Sequence, residues 1–455
     1  MHLTRDEALP VTVPLATAPL GVWRSFREAR RNIVSIIPEA STHQPIVSGK
    51  TGKRWHMLTD PAGIRQVLLE REAFYPKSVV TKTLLNPAIG DSLFIAEGAQ
   101  WRWQRRMAAP VFSHRNVMNL APIMTAAAER SAARIAEAGT GRAVNLFDEM
   151  VTTTFDVIGD VTFSGDGSFD RDAVHAAIET YIADAGKVSL LDILGAPDWI
   201  PRPSRALSDS GMTDMKKMAD GAIEARAARG PQGVPDLLDL LLSGEDPKSG
   251  RQMTTAELRD NLLAFIVAGH ETTALSLAWG LYLCAFDQKV QEQARAEAQA
   301  VLSDGRAATG ADVAHLPFIR QILDEALRLY PPAAMVSRTA LAEDEICATR
   351  ILPGDTVILP IYALHRSHLL WEEPDAFRPD RFADRKAIER YAYLPFGDGP
   401  RICIGASFAL QEAVIILATL LSRFHFTAVK GRDPKPVMIL TLRPEGGVWL
   451  MAQPV

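Results

Sequence analysis

The ten residues Phe396 to Gly405, F-G-D-G-P-R-I-C-I-G, constrain this chain more than any other stretch. Gly397 and Gly399 permit a tight, positive-φ backbone that a bulky side chain would disfavour. An apolar run from Ala406 to Ser422 follows at once and reads as a helix, placing Cys403 at a helix N-terminus. There the macrodipole and the free N–H groups favour thiolate over thiol. Gly405 lets a flat ligand approach the start of that helix closely. Zinc and iron–sulfur clusters want about four ligands, and no second soft ligand stands nearby in sequence. A single thiolate on a tight loop suits axial ligation of a haem iron. The alternative is a buried structural cysteine, the usual fate of an isolated one. Phe396, three glycines and Arg401 at set offsets speak against it.

A chain of 455 residues can bury a core large enough to enclose a cofactor, and its length alone allows up to three domains of about 150 residues. With 47% hydrophobic and 23% charged residues it reads as a soluble globular protein, not as a disordered or disulfide-scaffold chain. The net charge of −5 lacks the basic signature of a nucleic-acid binder. Cys284, Cys347 and Cys403 are odd in number and scattered, which points to a reducing compartment, with Cys284 and Cys347 as core thiols. The charged N-terminus carries no secretory signal, so a cytoplasmic location is expected. Leu262 to Cys284 is apolar enough to resemble a membrane span. His270 and Glu271 near its centre make it a buried helix instead.

Helical periodicity dominates through 117–138, 143–163, 171–186, 211–228, 255–300 and 405–423. Ile46 to Ser48 and Trp55 to Leu58 flank G-K-T-G-K as a hairpin, and Asp60 with Pro61 starts a helix. Gln44 breaks the spacing a phosphate loop would need. Thr356 to Pro360, Phe424 to Thr427, Val437 to Leu442 and Val448 to Met451 read as strands, the last two joined by R-P-E-G-G. Pro197 to Pro203 and Gly230 to Pro235 read as loops. The expected fold is mainly α with a minor β portion, a single domain over 1–455. Its β-rich parts lie at about 44–60, 335–362 and 424–451, and its helical parts at about 61–330 and 405–423.

Three further motifs carry chemistry. Thr254 and Glu257 form a capping box before the long apolar run, which A-G-H-E-T-T, Ala268 to Thr273, interrupts. Glycine in mid-helix costs about 1 kcal/mol. A hydroxyl at Thr272 can bond back to the Ala268 carbonyl, and opening at Gly269 would make a groove with one carboxylate, Glu271, and one hydroxyl, Thr272. Such a pair can relay protons in an apolar site. His270 reads as packed, since H-E-T-T-A is not a zinc-protease motif. In E-A-L-R, Glu325 and Arg328 form an i, i+3 pair in apolar surroundings. A buried pair needs additional hydrogen bonds, and Arg381 in F-R-P-D-R-F can share the carboxylate of Glu325. In W-R-W-Q-R-R, Trp101 and Arg105 share one helix face; Arg102 and Arg106 share the next, and with Arg115 they could face an acidic electron donor.

These segments resemble the cytochrome P450 family. Phe396, Gly399, Arg401, Cys403 and Gly405 fill every fixed position of its F-x-x-G-x-R-x-C-x-G loop, and the stretch Ala268 to Thr273 fits A-G-x-[DE]-T-[TS]. The motifs run in family order from Trp101 to Gly405. The resemblance implies a cytochrome P450 fold around haem b, with the Cys403 thiolate as axial ligand. Phe396, Gly397, Gly399, Gly405, Ala268 and Gly269 would line the cofactor. Trp101, Arg105, Arg338 and Arg401 would hold its propionates, and Glu325, Arg328 and Arg381 would form a structural triad behind it. Asp380 stands where Glu is common. The implied activity is insertion of one oxygen atom from dioxygen into a hydrophobic substrate of the fatty acid, terpenoid or carotenoid class. Val267, Ala268, Ala333 and Met335 would line the substrate pocket. No flavin domain follows Val455, so a ferredoxin and its reductase are the expected donors to a monomer without membrane span. A peroxide-driven peroxygenase of the same fold and a non-enzymatic haem sensor are the alternatives.

Overall fold

The computed structural model describes residues 9–139, 141–163, 174, 176–177, 180, 209–231 and 235–455. The expected helix over 171–186 and the Pro197–Pro203 loop lie almost wholly outside them. The first described helices are α1 (Val22–Arg31), α2 (Pro61–Arg65), α3 (Val79–Ile89), α4 (Gly98–Ala108), α5 (His114–Glu137) and α6 (Leu146–Phe163). They continue with α7 (Asp209–Arg229), α8 (Leu237–Leu242), α9 (Thr255–Phe286), α10 (Gln288–Val301), α11 (Pro317–Leu329), α12 (Ile361–Leu364) and α13 (Ala406–Arg423). One sheet has the order β1 (Ile46–Thr51), β2 (Lys53–Leu58), β7 (Thr356–Leu359), β4 (Val336–Thr339), with β2 and β7 parallel. The others pair β5 (Asp344–Ile346) with β6 (Thr349–Ile351), β9 (Lys435–Met438) with β10 (Leu442–Glu445), and β11 (Trp449–Pro454) with both β3 (Ala143–Asn145) and β8 (Phe424–Ala428).

Helix α9 is the axis of the molecule. It is apolar on most of its circumference, as a helix surrounded by protein must be, and it packs against α6, α7, α11 and α13. The Thr254–Glu257 capping box starts it, as the sequence predicts. It ends at Asp287, whose side chain accepts from the Lys289 and Val290 amides and caps α10. The periodic run over 255–300 is therefore two helices, because an N-cap competes with continuation. Both α9 and α13 are long and apolar enough to cross a membrane, yet 78% and 72% of their apolar windows are buried inside the fold.

The β1–β2 hairpin and the Asp60 cap with Pro61 at N1 form as expected. The C-terminal pairing differs. Val437 to Leu442 is not one strand but a turn between β9 and β10, and R-P-E lies within β10. Gly446 and Gly447, at φ +83° and +88°, end that strand, so β11 pairs with β8 and β3 instead. Strand β3 stands in a portion read as wholly helical. Cys284 is fully buried, but Cys347 is not a core thiol. It is half-buried at φ +50° in the two-residue turn between β5 and β6.

Candidate active site

The Cys403 loop is closed by the Cys403 amide donating to the Phe396 carbonyl at 2.9 Å. Gly397 and Gly399 adopt φ of +69° and +72°, and a Cβ on Gly399 would collide with the Leu68 carbonyl oxygen. Gly405 precedes α13 at φ −90°, and a Cβ there would meet only Phe112, at 3.9 Å. The Cys403 side chain is reachable by water although protein encloses it on most sides, as at the floor of a recess. That enclosure raises the thiol pKa; the Gly405 N–H, Arg105 and Lys77 only partly oppose it. Burial thus opposes the helix N-terminus here, and a coordinated cation would favour the thiolate. A surface groove of about 900 Å³ lined by Asp60, Gln66, Cys347 and Tyr391 includes none of these groups.

Beside the loop stands an excess of cations. Arg401 lies 4.1 Å from the Trp101 ring, and its guanidinium bonds Glu72, Glu97 and the Ala96 carbonyl. Arg105 donates to the Ile402 carbonyl at 3.0 Å. Arg338 is no surface residue: it is buried, and burial together with Arg401 pulls its pKa down to about 10. Lys77, absent from the sequence reading, is pulled to about 7 by burial and then by Arg338 and Arg401. Burying like charges together is costly unless anions join them. Two carboxylates, as on haem propionates, fit this cluster. Arg106 does not share a free basic face with Arg102, because Asp246 holds it at 2.9 and 3.1 Å.

Across α9 the exposure pattern is local. Val267, Ala268, Gly269 and Thr272 are accessible in mid-helix, whereas Ile266, His270, Glu271 and Thr273 are buried. Ala333 and Met335 are accessible too, between the buried Pro332 and Arg338. The helix does not open at Gly269; it stays helical throughout, and small side chains make the recess instead. Thr272 donates back to the Ala268 carbonyl at 2.8 Å, as predicted. Glu271 does not share a groove with it, since neighbours on a helix diverge. The Glu271 carboxylate accepts from the Thr441 hydroxyl at 2.6 Å and from Arg443 at the start of β10. His270 packs edge-on against Phe155, with Nδ1 against the Ile266 carbonyl at 2.7 Å. Behind α9, burial raises Glu412 of α13 well above the carboxylate range, with Thr273 its hydrogen-bond partner. A lone acid in the apolar run 406–422 was the signal for it.

The triad forms. Arg328 donates to both Glu325 oxygens at 2.6 and 2.7 Å, and Arg381 donates to Oε1 at 3.3 Å. The Arg378 amide adds a bond at 2.9 Å. Arg328 also donates to the carbonyls of His365, Pro374 and Ala376. Asp380 points outward to Arg378 and takes no part. His365, which no motif marked, links this cluster to the Cys403 loop: its Nδ1–H faces the Arg328 carbonyl and its Nε2 accepts from the Leu394 amide at 2.9 Å.

A mainly helical fold with an accessible cysteine beside a cation cluster, and an accessible apolar stretch on its central helix, fits a haem-thiolate oxidoreductase. The cytochrome P450 family profile matches residues 21–451, and the chain belongs to that family. A cyclooctat-9-en-7-ol 5-monooxygenase of Streptomyces melanosporofaciens is 31% identical over 427 residues, 93% of this chain and 90% of that protein. A cytokinin hydroxylase of Arabidopsis thaliana is 29% identical, covering 92% and 85%. The crystal structure of the cytochrome P450DA heme domain superposes with a TM-score of 0.79 at 28% identity, over 90% of each chain. The protein is thus a cytochrome P450 monooxygenase whose cofactor is a haem with a cysteine thiolate as axial ligand.

Proposed function

We propose that this chain acts as one unit, 1–455, hydroxylating a hydrophobic substrate with electrons from a separate ferredoxin and its reductase, as a cytoplasmic monomer. When bound, the haem supplies activation of dioxygen and transfer of one oxygen atom. Cys403 would be its axial ligand, the only one of the three cysteines with an accessible side chain beside the cation cluster. Trp101, Arg105, Arg338 and Lys77 would hold the propionates, Arg401 joining them from between Glu72 and Glu97. Glu325, Arg328 and Arg381 anchor the segment behind the loop.

Val267, Ala268, Ala333 and Met335 would line the substrate side, all apolar, which supports a substrate of fatty acid, terpenoid or carotenoid type. The substrate named for the Streptomyces relative, a hydrocarbon skeleton with one hydroxyl, agrees with such a pocket. Glu271 would serve the proton relay from beside the recess, its carboxylate fixed by Thr441 and Arg443. Because the Thr272 hydroxyl donates to Ala268, its lone pairs face the recess and can accept a hydrogen bond there. The observation that carries the reading is the coincidence of an accessible Cys403 with the accessible face of an otherwise buried α9. Titration with candidate apolar compounds, read as a low- to high-spin shift of the haem, tests it; no shift with any of the three classes would contradict the substrate assignment.

A further inference from the structure

The four-stranded sheet carries a side-chain relay that the monooxygenase reading does not use. Ser48 of β1 faces His56 of β2 across the antiparallel pair, and its Oγ lies 2.7 Å from the ring Nδ1. The other ring nitrogen, Nε2, meets Asp355 Oδ2 at 3.1 Å. Asp355 stands just before β7 and is itself held: Arg54 reaches Oδ2 at 2.9 Å, and the Leu352 amide donates to it at 2.8 Å. His56 and Asp355 are buried, at 2% and 5% exposure, whereas Ser48 is exposed. Strand β1 is one edge of this sheet, and β4 with the haem-side Arg338 is the other. Ser48 is thus about 14 Å across the sheet from Arg338, at roughly 4.8 Å per strand.

The directions of these bonds follow from what each group can donate. A carboxylate paired with a guanidinium is ionised and only accepts, so the proton between His56 and Asp355 sits on Nε2. Nδ1 then carries the ring's lone pair, and the Ser48 hydroxyl donates to it. That is the polarity of a nucleophile, its base and the group that orients the base. A cross-strand serine–histidine bond by itself supports a sheet, but it does not need an ionised carboxylate buried behind the ring. We propose that Ser48 is an activated nucleophile, with His56 as its base and Asp355 as a positioning residue, and that it takes acyl groups from activated esters. Ser48 Oγ bonds the carbonyl carbon as its proton passes to Nδ1, and the bond from that carbon to the leaving oxygen breaks. The imidazolium, stabilised by Asp355, returns the proton to the leaving alcohol. Water then cleaves the acyl-serine by the same route, releasing the carboxylic acid and restoring Ser48. The nucleophile stands on an exposed strand and not in a cleft, so the site selects by leaving group instead of shape. Aryl esters fit that requirement. A fluorophosphonate reacts at the same oxygen, loses fluoride and stays attached through phosphorus.

The test is reaction of the full-length holoprotein with a fluorophosphonate probe, the labelled peptide then being mapped by mass spectrometry. Label at Ser48, about a hundredfold faster than at any other serine, is expected. Unfolded wild type should lose that preference, because the relay exists only in the folded sheet. Ser48→Ala, at an exposed site, should abolish the label and slow hydrolysis of p-nitrophenyl acetate, with the reduced, carbon monoxide-bound spectrum as in the wild type. Asp355→Asn should cut the labelling rate about a hundredfold with that spectrum retained, whereas loss of a merely structural carboxylate would leave the rate unchanged. Should Asp355→Asn not fold, the wild type against Ser48→Ala still decides. No label at Ser48 in the folded wild type, labelling no faster than at other exposed serines, or equal labelling of folded and unfolded protein would overturn the proposal. None of these outcomes depends on the haem reaction or its substrate.

Discussion

Two deeply buried glutamates among the described residues each hold an arginine, for different ends. Glu325 and Arg328 are both 0% exposed, and every donor of the arginine that faces protein has a partner. Glu271 is as deeply buried, but its Arg443 is 22% exposed and sits on a two-stranded hairpin instead of a core helix. A buried pair is stabilising only when geometry and extra hydrogen bonds offset desolvation. The first pair meets that condition with backbone carbonyls from His365 and from the Pro374–Ala376 stretch, and so ties α11 to the chain leading into the Cys403 loop. The second pair instead ties α9 to the β9–β10 hairpin, whose Met438 and Leu442 are themselves core residues.

The comparison breaks first at Arg328. Arg328→Ala leaves Glu325 buried and uncompensated, so a loss of about 3–5 kcal/mol is expected, measured by chemical denaturation. A loss below about 1 kcal/mol would place the pair with surface bridges. Next comes His365, which burial and then Arg328 pull from 6.5 down to about 3. Between those values the unfolded chain binds a proton that the folded chain refuses. Stability is therefore fully present above about pH 6.5 and falls with acid, by up to about 1.4 kcal/mol per pH unit. His365→Asn should flatten that slope while Arg443→Ala leaves it intact.

At the second pair the effects move from stability to turnover. Glu271→Gln should lower product formation by about a hundredfold while keeping the denaturation midpoint nearly unchanged. Thr272→Ala should uncouple electron consumption from product, with stability altered by less than about 1 kcal/mol. Unchanged coupling would remove Thr272 from the relay. Lys77→Gln should speed loss of haem to an apomyoglobin acceptor severalfold, the smallest of these effects because three arginines remain.

What could be read from sequence was local. The Cys403 loop, the Thr254 cap, the Thr272 hydroxyl's bond to Ala268 and the Glu325–Arg328 pair are short and rest on spacing, and each forms as its residues dictate. What depends on distant contacts was not legible. Lys77 joins the cation cluster only because it bridges to Arg338 of β4. Arg443 meets Glu271 only because the chain turns at Ile439 and not at Gly446. The expected opening at Gly269 failed for a related reason: packing of α9 on α6 keeps the helix regular, with Ile158 in ordinary contact at 3.6 Å from a Cβ there. The enclosure of Cys403, which opposes its ionisation, is a tertiary property that no local spacing shows.

The central claim is that Cys403 supplies the axial thiolate. The most direct measurement is the absorption spectrum of the reduced, carbon monoxide-bound holoprotein, wild type against Cys403→His. The wild type should give the red-shifted Soret band of a thiolate-ligated haem, and the variant should lose it. A wild-type band at the position of a histidine-ligated haem, or an unchanged red-shifted band in the variant, would contradict the assignment.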